Sequence, residues 1–150
     1  NYKPMEQVRL NQGVELVLPN IMGFERIAMA CSASFAHLMG LSAERIEDLK
    51  TIVAEAIINA IQHVTADRND NRVVIRLESE PDRIKVCVID QGDGFEKAIA
   101  DPDIERIIDN LDEPVGFGLF LIRNLADEVV YSKIPDGGHQ VAMWIDIHTR

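Results

Sequence analysis

Residues 55–63 read EAIINAIQH, from Glu55 to His63. Glu55, Asn59 and His63 recur at four-residue steps in a segment made mostly of Ile and Ala. Such steps stack side chains on one helix face. The pattern predicts a polar stripe on a helix that is otherwise built for burial. The apolar positions around it, Leu49, Ile52, Val53, Ala56, Ile57, Ala60 and Val64, supply a core face for a helix running from about Ala43 to Thr65. Ser42 is suited to cap its start, and Glu44 places negative charge in the first turn. Burying an amide with nothing to meet it costs roughly 2–7 kcal/mol, and burying a lone carboxylate costs more. The stripe therefore asks for a ligand.

Upstream, GVELVL at 13–18 alternates and ends at Pro19, as a strand does. Phe24, Ile27, Ala28, Cys31, Phe35 and Leu38 then recur at helical spacing across 23–39, and Gly40 marks the stop. Downstream, DRNDN at 67–71 reads as a turn, RVVIRLES at 72–79 as a strand, PDR at 81–83 as a turn and IKVCVI at 84–89 as a strand. From Glu96 to Val115 the chain is acidic and weakly periodic, which predicts a mobile lid-like loop. A helix over 118–126 and a last pair of strands, 128–134 and 139–147, around PDGG at 135–138 complete the chain. Grouped helices with hairpin strands predict an α+β domain. It would be a two-layer α/β sandwich, with helices on one face of a mixed, mostly antiparallel sheet.

The bulk numbers bound the function. With 150 residues and 47% hydrophobic content the chain suits one globular domain spanning 1–150. A formal net charge of −10 argues against non-specific nucleic-acid binding and against an anionic membrane surface, both of which need basic patches. Local phosphate binding by a metal and a helix N-terminus remains compatible with that charge. Cys31 and Cys87 lie in apolar segments and read as small buried hydrophobes rather than a disulfide. No signal peptide and no apolar run of membrane-spanning length occurs, so a cytoplasmic protein is expected. The chain begins at Asn1 rather than Met, as a trimmed chain or a piece of a longer protein would.

Three short motifs carry chemistry. Asp90-Gln91-Gly92-Asp93-Gly94 follows a strand directly. An acid there accepts from an exocyclic amine such as that of adenine, and glycines let a flat ring approach the main chain; an ordinary strand-ending turn reads the same way. Gly116-Phe117-Gly118-Leu119 precedes a helix, where free N–H groups meet an anion or simply allow a flexible entry. On the stripe, the Asn59 amide oxygen suits magnesium, and Glu55 one turn earlier suits proton acceptance; an exposed polar helix edge is the plain alternative. His63 reads as structural, and His37, His139 and His148 receive no role. No Walker loop, GxSxG, HExxH or CxxC occurs.

In this order, E-x3-N on a helix, D-x-G-x-G after a strand and G-x-G-L at a helix resemble the GHKL ATPase superfamily, which groups gyrase, a heat-shock chaperone, histidine kinases and MutL. The chain looks most like the compact anti-sigma factor serine-protein kinases of that superfamily, and the likeness extends over nearly its whole length. The resemblance implies the Bergerat fold and the cofactors ATP/ADP and Mg2+. It implies Glu55 as general base, Asn59 as magnesium ligand and Asp90 as the adenine reader. Gly92 and Gly94 would shape the purine pocket, and Gly116, Gly118 and Leu119 would form the phosphate side. It also implies a homodimer, with a sigma factor and a STAS-type anti-anti-sigma protein as partners, the latter phosphorylated on serine.

The chain departs from that pattern in two places. Pro114-Val115 stand where members often carry a basic residue, and the acidic loop offers only Lys97 and Arg106. Both departures weaken the expected grip on a γ-phosphate. The alternative reading is accordingly a nucleotide-binding regulatory module that acts by partner binding without efficient kinase activity.

Overall fold

A computed structural model of the chain describes residues 12–62, 72–90, 114–134 and 138–148, with 114–117 described by their helical backbone. Among these residues the order is β1 (Gly13–Pro19), α1 (Glu25–Met39), α2 (Ala43–Gln62), β2 (Arg72–Ser79), β3 (Arg83–Asp90), α3 (Pro114–Leu125), β4 (Glu128–Lys133) and β5 (His139–Asp146). The strands form one five-stranded sheet in the order β1-β2-β3-β5-β4. Every pairing in it is antiparallel. The expected two-layer α+β sandwich is present, and the sheet anticipated as mixed is antiparallel throughout its described pairings. The β4–β5 hairpin produces this, because it folds back so that β5, not β4, lies beside β3.

Period-two alternation decides which side of the sheet each residue serves. Leu18, Val73, Ile75, Leu77, Ile84, Val86, Val88, Val141, Met143 and Ile145 are buried beneath the helices. The opposite face carries charge and one aromatic. Arg76 pairs with Glu15, its cross-strand neighbour, at 2.5 Å. Arg83 bridges Glu80 and Glu128 and lies 4.9 Å from the centre of the Trp144 ring, with Lys85 at 5.5 Å. A sheet with one dry and one wet face can be covered by a single helix layer.

That layer follows from helix patterning. In α1, Ala28, Phe35, Ala36 and Met39 are buried, whereas Ile27 and Leu38 of the same apolar series face solvent. Gly40 ends the helix at φ 93°, its N–H donating to the Ala36 and His37 carbonyls. The Ser42 hydroxyl accepts from the Arg45 N–H at 3.3 Å, which caps α2 as its sequence position suggests. In α2, Leu49, Ile52, Val53, Ala56, Ile57 and Ala60 are all completely buried. This helix lies between α1 and α3 and packs across β2, β3 and β5. None of the described helices is long and apolar enough to cross a membrane. Cys31 and Cys87 are both free, and burial pushes both thiols up from their ordinary pKa.

α3 begins at Pro114, four residues ahead of the expected start at 118. The glycines read as an entry loop therefore lie inside the helix. Proline is well tolerated at a first helical position, where its missing N–H has no intrahelical duty. The expected lid at 96–115 lies outside the described residues except for Pro114 and Val115, which belong to this helix.

The far end of α3 is latched by Arg45. Its guanidinium donates to Asp48 at 2.9 Å, to the Leu125 carbonyl at 3.4 Å and to Asp127 at 2.6 Å. The Asp127 carboxylate also accepts from the Asp146 N–H at 2.8 Å, tying α2, α3 and β5 into one knot. Arg45→Ala takes the cation away from Asp48 and Asp127, both partly shielded from water, although Asp127 keeps its bond from the Asp146 N–H. It is expected to lower stability by about 1–3 kcal/mol. A shifted urea midpoint at unchanged slope is the signature, and an unaltered midpoint would show that the latch contributes nothing.

Candidate functional site

Asn59 sits on the buried face of α2 at 3% exposure. An amide at that depth is unusual among the Ile and Ala that surround it. Glu55, one turn earlier, is half-buried, and desolvation raises its carboxyl pKa above the ordinary value. The backbone of α3 lies directly against both. A methyl group added at Gly118 would fall 2.7 Å from Glu55 Oε2 and 3.4 and 3.5 Å from the Asn59 amide nitrogen and oxygen. A Cβ there would meet Asn59 at ordinary contact distance but would have to push the Glu55 carboxylate aside. The next residue, Leu119, is 1% exposed and anchors α3 in the core together with Ile122.

Glu55, Asn59, Gly118 and Leu119 thus converge where α2 meets α3. The first N–H groups of a helix lack intrahelical acceptors, so those of α3 remain available to an anion even with Gly116 inside the first turn. The carboxylate and amide oxygens at this junction match the hard-donor preference of magnesium. The missing side chain at Gly118 keeps bare backbone beside the Glu55 carboxylate and the Asn59 amide. These residues fit a magnesium-bound phosphate chain.

Asp90 ends β3 on the same side of the sheet as Ile84, Val86 and Val88, facing the helix layer. Its exposure is 0%. Its cross-strand neighbour on β5 is His139, whose Nδ1 lies 3.8 Å from Asp90 Oδ1. A carboxylate so placed has the chemistry to accept from an amine, and the sheet register assigns it an imidazole neighbour. Sequence reading left His139 without a role. Its only local sign is a histidine opening a strand after glycine, and the pairing with Asp90 exists only once β5 has inserted beside β3. Gly92, Gly94 and His63 lie outside the described residues, and Gly116 is described by its helical backbone.

Known proteins share sequence and fold with this chain. The family described as the histidine kinase-like ATPase domain matches residues 24–145. Serine-protein kinase RsbW of Bacillus licheniformis is 39% identical over 117 residues, covering 74% of this chain and 70% of that protein. The RsbW of Bacillus velezensis is 38% identical over 130 residues, covering 83% and 78%, and that of Staphylococcus aureus 38% over 115 residues, covering 73% and 71%. Among solved structures, the SiaB–SiaC complex from Pseudomonas aeruginosa contains a chain of the same fold, with a TM-score of 0.63 at 14% identity and 95% of each chain covered. The RsbU and RsbW domains of a Mycobacterium tuberculosis protein also give 0.63, at 16% identity, and there this chain spans 32% of the longer one while 89% of it is covered. A match over residues 24–145, with relatives at this identity and coverage, identifies the chain as a member of the histidine kinase-like ATPase family and of its RsbW serine-protein kinase group.

Proposed function

We propose that this chain binds ATP with magnesium between α2, α3 and the end of β3, sequesters a sigma factor, and phosphorylates a serine of a small STAS-type anti-anti-sigma protein. The observation that carries this reading is the junction of Glu55, Asn59 and Gly118, a base, a metal-suited amide and a bare backbone within contact distance of one position. The names of the relatives support the kinase chemistry, and the anti-sigma setting rests on the family resemblance. A homodimer is part of the same reading and rests on the family resemblance.

In this mechanism Asp90 accepts a hydrogen bond from the adenine amine and sets the depth of the base. Gly92 and Gly94, outside the described residues, are assigned to the purine pocket by the family resemblance alone. Gly116 and Gly118 bring α3 backbone close to the phosphate side, and Leu119 keeps that helix seated in the core. Asn59 offers its amide oxygen to the metal. Bound ATP supplies the phosphoryl group, and its magnesium neutralises charge that develops on it. Glu55 would take the proton from the partner's serine hydroxyl as that oxygen bonds to the γ-phosphorus and the bond to the β–γ bridging oxygen breaks, releasing ADP. Its raised pKa suits that work, because a stronger base accepts the proton more readily.

Glu55→Gln is expected to lower label transfer from ATP to an anti-anti-sigma protein by about 10²–10⁴-fold while leaving ADP affinity within a few-fold. Asp90→Ala is expected to lose nucleotide affinity instead. Equal loss of binding in both variants would refute the division of roles. Absence of transfer in the parent, with nucleotide binding intact, would favour the module that regulates by partner binding alone.

Gly118→Ala separates geometry from stability. Alanine is favoured over glycine in a helix by roughly 1 kcal/mol, so the fold gains or holds its stability. The added methyl displaces the Glu55 carboxylate, the flexible group it meets at 2.7 Å. Transfer should drop at least about tenfold with no fall in melting temperature. A variant as active as the parent would remove Gly118 from the site.

Glu55 also sets a pH dependence. Its folded pKa is raised, so the folded state favours the protonated carboxyl, and its ionisation opposes folding as pH rises through that folded pKa. Glu55→Gln is therefore expected to be more stable than the parent at neutral pH, with the difference disappearing on acidification. Melting curves of both proteins across the acid range test this; a gap that widens as pH falls would contradict it.

A further inference from the structure

We propose that Arg45 is a positioning residue for phosphoryl transfer, one that fixes the far end of α3 and so sets how closely Gly118 lies to Glu55 and Asn59; this rests on the reading of Glu55 as the base of that reaction. Arg45, Asp48, Ile52, Glu55 and Asn59 recur along α2 at alternating steps of three and four residues. Such steps keep side chains on one seam of a helix. The polar stripe of the site therefore continues back to the start of α2, interrupted by Ile52, which is fully buried. On α3, Gly118, Ile122 and Leu125 follow the same rule. Arg45 reaches Leu125 at one end of the seam, and Gly118 faces Glu55 and Asn59 at the other. From Arg45 to Glu55 is about 15 Å of helix.

The contacts along the seam differ in kind. Between its ends lie Ile52 and Ile122, both without exposed surface. Apolar burial is non-directional, so it opposes separation of the helices more than a slide along them. The guanidinium is directional. It donates to the Leu125 carbonyl at 3.4 Å, at the helix end where carbonyls lack intrahelical partners and a cation suits the dipole. It donates to Asp127 at 2.6 Å. Asp127 is itself tied to β5, since its carboxylate accepts from the Asp146 N–H and its own N–H donates to the Trp144 carbonyl, each at 2.8 Å. Asp48, one turn along α2, accepts from the same guanidinium nitrogen that reaches Leu125. The C-terminal end of α3 is thus pinned to α2 and to the sheet at one point, while its N-terminal end serves the phosphate side. A slip of one residue along the seam moves Gly118 by about 1.5 Å. Misplacement of reacting groups by about 1 Å costs up to roughly a hundredfold in rate. Arg45 touches neither nucleotide nor metal in this mechanism and acts through α3.

The test measures label transfer from ATP to an anti-anti-sigma protein, affinity for ADP, and the nuclear Overhauser contact between the Gly118 α-protons and the Asn59 side-chain amide. All are read well below the melting temperature of every protein compared. Arg45→Met keeps the stem and removes the donors. Asp48→Ala removes an ion pair of the same arginine and leaves its bonds to Leu125 and Asp127. Arg45→Met should lower kcat at least about tenfold, keep the Kd for ADP within about threefold and weaken the Overhauser contact. Asp48→Ala should keep kcat within about twofold and the contact at parental strength. A mere loss of stability changes kcat equally in both variants or in neither, and either result overturns the proposal. An undiminished Overhauser contact in Arg45→Met overturns it too, whatever the rates. Should Arg45→Met fail to fold, Arg45→Lys, which keeps the charge and loses the fork, replaces it with the same directions at smaller size. A parent that binds ADP and transfers no label refutes the reading of Glu55 as base. The Overhauser comparison still decides the role of Arg45 in that event, so the two failures are distinguishable.

Discussion

A polar stripe on a core helix constrains everything else in this molecule. α2 packs against five other elements, so its orientation is fixed by apolar contact along most of its length. That packing carries Asn59 into the interior and leaves Glu55 at its margin. Once α2 is so placed, a side chain on the covering helix at this point would displace the Glu55 carboxylate. Gly118 avoids that displacement. The latch at Arg45 secures the same helix at its other end, where neither substrate nor metal is expected. α3 is thus held near both of its ends by different means, one a close approach and the other a charged knot.

The acids of the site lie in different surroundings. Asp90 is fully enclosed at the end of β3, with an imidazole beside it. Glu55 is partly open to water and has its pKa raised by desolvation alone. In the proposed function these environments match different duties. A carboxylate that holds a base in place needs a fixed orientation. A carboxylate that takes a proton needs room to move and a pKa brought toward the working range.

Much of this was legible in the chain because it rests on local periodicity and local turn chemistry. The α2 core face agrees position by position with the series from Leu49 to Ala60, since a helix buried on several sides leaves few alternatives for an apolar repeat. Gly40 and Ser42 punctuate the two helices by left-handed backbone and hydroxyl capping, properties of single residues. The same reading overextended the apolar face of α1, where Ile27 and Leu38 are exposed, because periodicity marks a stripe without stating how much of it a neighbour covers. It also began α3 too late. Glycine was weighted as a breaker, whereas helix context and Pro114 at the first position outweighed it.

By itself the sequence determined the α+β class, the hairpins, and which helix carries Glu55 and Asn59, because these depend on spacing along one segment. Tertiary structure alone decided that Gly118 faces Glu55 and Asn59, where a Cβ would meet both, and that Arg45 reaches Asp127, 82 residues away along the chain. It alone decided that β5 rather than β4 lies beside β3, which sets His139 against Asp90. Such contacts join residues distant in sequence through strand order and helix packing, and no local periodicity encodes a register between segments that meet only in the folded chain.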